Sequence, residues 1–168
     1  MAREPVRPAR REPRKDRPPR HVQPRNHDTY KLRQKPGGTV VCADCGAVHQ
    51  AGRWTWGAPP AEARSDRCPA CRRIADRYPA GTLSLRGSVL KHRDEVLGMI
   101  RNVEEREKSE HPLERLMDIE RKDDCLLVST TGLHLARCLA SALERRFKGH
   151  IRIAYGEEEN HVSVEWVD

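Results

Sequence analysis

Two pairs of cysteines, Cys42 and Cys45 in "VVCADCG" and Cys68 and Cys71 in "DRCPACRR", constrain this chain more than any other feature. Two intervening residues let one tight turn present both thiolates to one ion, and zinc prefers four sulfur or nitrogen ligands in a tetrahedron. The 22 residues between the pairs suffice for a hairpin that brings them together. Gly46 and Pro69, which directly follow Cys45 and Cys68, suit the turns of two metal knuckles. The spacing therefore predicts one structural zinc ion held by Cys42, Cys45, Cys68 and Cys71. Other uses of the same spacing are redox or reactive thiols, or replacement of one cysteine by His49, four residues beyond Cys45. Four thiolates would close the coordination shell and leave no position for substrate or activated water.

Composition explains why a metal is wanted. Apolar residues make up 36% of the 168, charged residues 34% and aromatic residues 4%, so any core must be small. Domains of this kind recruit a metal, disulfides or a partner to offset the entropy of folding. Structural zinc supplies about 10 to 16 kcal/mol in small fingers.

The net charge of +7 is unevenly spread. Residues 1–36 hold 12 of the 32 basic and four of the 25 acidic residues, a local balance of +8, which leaves 20 basic and 21 acidic residues beyond them. Seven of the 12 prolines fall in the same stretch, and proline interrupts both helix and sheet. This segment reads as an extended, disordered arm. Its Arg10, Arg11, Arg14, Lys15, Arg17 and Arg20 are candidate phosphate contacts, with counterion release as the driving force; a solubilising tail is the other reading. Arg72 and Arg73, with Arg64, Arg67, Arg77 and Arg86 around the second cysteine pair, extend the candidate patch, although Glu62, Asp66 and Asp76 oppose it.

No run approaches the roughly 18 apolar residues of a membrane span, and the N-terminus lacks the apolar stretch of a secretory signal. A cytoplasmic chain without membrane contact is expected, where reduced cysteines favour metal over disulfides.

Residues 38–86 are read as a zinc ribbon. "GTVVCADCG" enters one knuckle, "AGRWTWGAP" is a strand, "RCPACRRI" is the second knuckle, and "YPAGTLSL" exits through a turn and short strand. Trp54 and Trp56 either cover this hairpin or offer a stacking platform for bases. Residues 87–168 predict a second, α+β unit in the order α-β-β-α-β-β, with helices on one face of a sheet. Val89, Val96, Leu97, Ile100 and Val103 recur at helical spacing after Ser88, a reasonable N-cap, and Pro112 bars continuation. "CLLVSTT" reads as a strand buried on both sides. Leu135, Ala136, Leu139, Ala140, Leu143 and Phe147 then share a helical face, with Thr130 or Thr131 as cap and Gly149 as stop. "HIRIAYG" and "HVSVEWV" close the chain as a hairpin around "EEEN". Cys125 and Cys138 read as small buried hydrophobes. The eight histidines show no metal or triad spacing, and "STTGLHLA" lacks the glycines and lysine of a phosphate loop. No catalytic residue is located, and no enzymatic role is expected.

The knuckles "CADCG" and "CPACRR", then "RYPAGTLSLRG", "IRNVEERE" and "LLVSTTGLHLARCLASALERRFKG", resemble small bacterial zinc-ribbon proteins. Those are similar to the N-terminal zinc region of the Nmd-three family, adaptors of the large ribosomal subunit in archaea and eukaryotes. The resemblance spans roughly residues 38–168. It implies zinc on Cys42, Cys45, Cys68 and Cys71 and association with RNA or ribosomal particles, in assembly, quality control or dormancy. The family carries more cysteine pairs and further RNA-binding domains than are found here. A zinc-dependent protein-interaction adaptor is the alternative, and the near-neutral balance beyond residue 36 speaks for it. Oligomeric state is not legible in the sequence.

Overall fold

The computed structural model describes residues 28–30, 38–156 and 160–167. These form a mixed α+β structure with two sheets and three α-helices. Arg10, Arg11, Arg14, Lys15, Arg17 and Arg20 lie outside the described residues.

Four short strands make the first sheet: β1 (Val40–Cys42), β2 (Val48–Gln50), β3 (Arg53–Thr55) and β4 (Arg64–Asp66), in the order β3-β2-β1-β4. Strands β2 and β3 form a hairpin turned by Ala51 and Gly52, both at positive φ (50° and 83°). Positive φ at both central residues matches the twist of the flanking strands. Strand β4 returns parallel to β1. The chain then enters helix α1 (Pro69–Asp76), which stops at Arg77 in the left-handed region. The second cysteine pair is therefore the start of a helix and not a second knuckle. Pro69 occupies the first helical position, where its missing N–H costs nothing and its φ is already helical.

The second sheet has five strands: β5 (Gly81–Arg86), β6 (Leu116–Lys122), β7 (Cys125–Thr130), β8 (His150–Tyr155) and β9 (Val162–Val167). Their order is β6-β7-β5-β9-β8, with β5 and β9 parallel and the other pairs antiparallel. Strand β5, read from sequence as the exit of the cysteine module, is the central strand of this sheet. Its Leu83 and Leu85 are fully buried, and its partners are at least 39 residues away in sequence, beyond the reach of local pattern.

A 3-10 turn (Gly87–His92) leads into α2 (Arg93–Glu110), and α3 (Leu133–Arg146) follows β7. Helix α3 buries Leu135, Ala136, Leu139, Ala140 and Leu143 across β5, β7, β8 and β9, and α2 adds Val96, Ile100 and Val103 to the same core. Gly81 permits the close approach of α3, since a Cβ there would lie 2.6 Å from the Cβ of Ala136. Strand β7 is buried on one side only: Leu126, Val128 and Thr130 face the helices, while Cys125, Leu127 and Ser129 are half-buried. Helices cover a single face of the sheet, so the apolar run does not carry the double burial of a parallel sheet.

Neither threonine caps α3. Thr130 Oγ1 donates to the carbonyls of Gly132 (2.9 Å) and Gly81 (3.3 Å), and Thr131 Oγ1 donates to that of Leu113 (2.6 Å). Gly132 is the N-cap, and a first-turn amide, Leu135 N–H, donates instead to Glu114 Oε2 at 2.8 Å. A Cβ on Gly132 would overlap the Glu114 carboxyl, so glycine is what admits this distant cap. The helix ends at Phe147, ahead of Gly149.

Candidate metal centre

Strand β1 delivers Cys42 to its end, and the turn that follows places Cys45. Gly46, at φ 76°, donates to the Cys42 carbonyl (2.9 Å), and Cys42 N–H donates to Ala47 O (2.7 Å). Across from this knuckle Cys68 is the N-cap of α1, with Cys71 three residues into the helix; Cys71 N–H donates to Cys68 Sγ (3.4 Å) and Cys68 N–H to Cys42 Sγ (3.2 Å). Positive helix ends and backbone amides favour thiolates.

All four sulfurs lie within 4.8 Å of one another. Cys45 Sγ and Cys68 Sγ are 3.8 Å apart, and a tetrahedron with zinc–sulfur bonds of about 2.3 Å has edges of about 3.8 Å. Cys42, Cys68 and Cys71 are buried and Cys45 is half-buried. The only other buried apolar residues in this cluster are Ala47 and Ala70, with Trp54 and Leu113 packed against it. A core this small does not hold a module together by burial, which is the situation in which a metal does.

Arg115, between α2 and β6, supplies the countercharge. It is buried, and its guanidinium donates to Cys45 Sγ (3.0 Å), Cys68 Sγ (3.4 Å) and Cys71 Sγ (3.5 Å), with Nε on Pro112 O (2.8 Å). Among the described residues no carboxylate pairs with it, so thiolate is the anion this buried cation is built to meet. Burial lowers the Arg115 pKa, but the thiolates of Cys45, Cys71 and Cys68 raise it by more. Burial likewise pushes Cys42 up, yet amides of Cys68, Cys45 and Asp44 outweigh it and bring that thiol down to about 7. Burial prevails at Cys68 and Cys71, whose thiols are raised. The donor set fits zinc: four convergent sulfurs, one already poised as thiolate, and a guanidinium to offset the charge of a four-thiolate complex. With all four positions filled by protein, such an ion organises the fold and offers no site for substrate.

His49 is outside this cluster. It sits opposite Trp54 in the hairpin, ring centroids 5.2 Å apart. Trp54 packs on the cysteines, whereas Trp56, 39% exposed, donates its indole N–H to Lys108 O (2.7 Å) at the far end of α2.

Three of the six arginines expected to form a surface patch, Arg67, Arg72 and Arg73, are committed to carboxylates. Arg73 is buried at 3% exposure, so it is not a surface contact. Its guanidinium pairs with Asp28, donates to Tyr78 O (3.2 Å) and lies 4.4 Å from the Tyr30 ring centroid. Arg72 is at the surface but paired with Asp66 (2.8 Å), and Arg67 is paired with Asp44 (2.6 Å). Tyr30 also stacks on Tyr78 (5.8 Å) and donates to Asp76 (2.8 Å). The Asp28–Tyr30 segment, read as part of the arm, is thus fastened to α1. Sequence reasoning missed both this anchor and Arg115, because an arginine 44 residues beyond Cys71 carries no local mark of its role.

These features define a mixed α+β protein with a four-cysteine centre suited to a metal ion of the zinc class. Comparisons with models of known families, with curated proteins and with solved structures return no match to this chain. Among the described residues no helix is long and apolar enough to cross a membrane.

Proposed function

We propose that this is a non-enzymatic zinc protein that binds RNA, most directly on ribosomal particles, with the basic segment and the cysteine module acting together. The observation that carries the reading is the mooring of Asp28 and Tyr30 on α1, the helix that holds Cys68 and Cys71 in its first turn and cap. It ties a segment with a balance of +8 over residues 1–36 to the metal-dependent module. Joint engagement then gains from a high effective concentration of one element once the other has bound. The resemblance to the zinc region of the Nmd-three family supports the same class of target.

The test is sedimentation of the zinc-loaded chain with ribosomal subunits at low and moderate salt, comparing the intact protein, a deletion of residues 1–27, and Asp28→Ala/Tyr30→Ala. Comigration that weakens with salt, is lost on deletion and is reduced when the anchor alone is removed is the expected result. Absence of comigration for the intact protein at low salt would sink the reading.

A second reading, an adaptor for another protein, is favoured by Ile153 and Tyr155. They lie on the outer strand β8, on the helix-bearing face, and stay 44% and 43% exposed because α3 covers that strand incompletely. One protein retained on the immobilised chain after nuclease treatment, and lost with Ile153→Lys, would favour it over RNA.

A further inference from the structure

A second cluster of ligating groups lies where the last turn of α2 meets the first turns of α3, away from the four cysteines. Glu107 and His111 are four residues apart at the end of α2, and His134 and Cys138 are four residues apart at the start of α3. Residues at this spacing share one helix face, so the two facing helices bring Glu107, His111 and His134 to one place, with Cys138 beside His134. The pairing is invisible in either segment alone.

The ligand atoms of Glu107, His111 and His134 all fall within 4.8 Å of one another. His134 Nε2 is 3.1 Å from Glu107 Oε2 and 3.5 Å from Cys138 Sγ. A tetrahedral ion with bonds of about 2.0 to 2.3 Å has edges of about 3.3 to 3.8 Å, close to the Glu107–His134 and His134–Cys138 separations. Cys138 lies outside the group whose ligand atoms are all within 4.8 Å, so its side chain must close toward His111 to complete the site. The His111 ring meets that of His134 edge-on, at 85° and 5.9 Å between centroids. Glu107 is held for the purpose: its other oxygen, Oε1, accepts from Arg106 (3.1 Å), which leaves Oε2 turned to the histidines. A simple Glu107–His134 ion pair would explain the first contact but neither the approach of Cys138 to the same nitrogen nor the placement of His111.

We propose that Glu107, His111, His134 and Cys138 bind a second divalent transition metal of the zinc class. One oxygen, two imidazole nitrogens and a sulfur suit zinc, cobalt or nickel and disfavour magnesium and calcium, which take oxygen ligands. The ion fastens the end of α2 to α3. Its ligand His111 also opens the short segment that runs through Leu113, packed on the cysteine cluster, to Arg115, whose guanidinium reaches those sulfurs. The site does not depend on RNA binding.

The experiment uses the full chain, saturated with zinc and then gel-filtered, with metal counted by mass spectrometry. Intact protein is expected to retain two zinc ions and His111→Ala/His134→Ala one. Both histidines are exposed, so the variant should fold; Glu107→Gln, nearly unchanged in size, provides a second variant with the same expected loss. With cobalt, the spectrum should sum a strong four-thiolate charge-transfer component and a weaker one that disappears in Cys138→Ala. A single zinc in the intact protein that is lost in the histidine variant, without the four-thiolate spectrum, would support this site while rejecting the cysteine centre. Equal zinc content in intact and histidine-variant proteins would overturn the proposal, as would a cobalt spectrum unaltered by Cys138→Ala.

Discussion

Arg115 and Asp28 each meet a charge that the cysteine module carries but does not balance within its own segment. Replacing Arg115 by Met removes three N–H donors from the sulfurs, and partners just outside a metal's ligands typically change affinity about 10- to 100-fold. Zinc affinity, measured by competition with a chromogenic chelator, is expected to fall by that order. Acid should weaken the centre in a defined window. The Cys42 thiol is brought from 9.0 down to about 7 in the folded chain, so its thiolate contribution is present at higher pH and lost as pH falls through about 7. Below that point zinc must displace a proton from Cys42 as well as from the raised thiols of Cys68 and Cys71. Calorimetry in buffers of different ionisation enthalpy should therefore show proton release growing, and affinity dropping, as pH is lowered past about 7. On the other side of α1, Asp28→Ala strands a guanidinium whose side chain is 4% exposed. Because Asp28 itself is 23% exposed, a loss of roughly 1 to 3 kcal/mol in urea unfolding is expected, below that of a fully buried pair.

Helix α3 shows how an element can take its terminus from elsewhere in the chain. Its own N-cap is Gly132, which offers no side chain, and the first-turn amide of Leu135 is satisfied by Glu114, 21 residues earlier. Burial raises the pKa of Glu114, against the lowering effect of that amide. A carboxyl raised in this way contributes most when protonated and loses its contribution as pH climbs through the folded value. Gln mimics the neutral acid and keeps the acceptor oxygen. Glu114→Gln should accordingly match or exceed the parent in melting temperature at neutral pH, whereas Glu114→Ala should lose about 1 kcal/mol, the usual worth of a cap. Equal melting of the Ala variant and the parent would show that water serves the helix end as well.

The two sheets differ in what holds them. Around the five-stranded sheet a continuous core includes Leu83, Leu85, Ile100, Leu135, Leu139, Leu143, Val164 and Trp166, all buried. Around the four-stranded sheet the buried cluster is Cys42, Ala47, Cys68, Ala70 and Cys71. Withdrawing metal with a strong chelator should therefore melt the smaller unit while the larger stays folded. In circular dichroism most far-ultraviolet signal should persist, and the fluorescence of Trp54, packed on the cysteines, should shift. Loss of both units in one transition would mean that the Arg115 and Trp56 contacts make them a single cooperative body.

The sequence by itself determined the two cysteine pairs and most of the helices and strands, because these depend on spacing within a few residues: two cysteines on one turn, apolar positions at three and four, alternation in the closing hairpin. Ala51 at positive φ, in place of the usual Asn or Asp, hid the turn between β2 and β3. The tertiary structure alone decided that β5 lies at the centre of the second sheet, that Arg73 is spent on an internal partner and that Arg115 faces the sulfurs. It also brought Glu107 and His111 against His134 and Cys138. Each of these joins groups tens of residues apart, and such contacts form only where packing of whole elements overcomes the entropy of closing the chain between them. No local pattern records that balance.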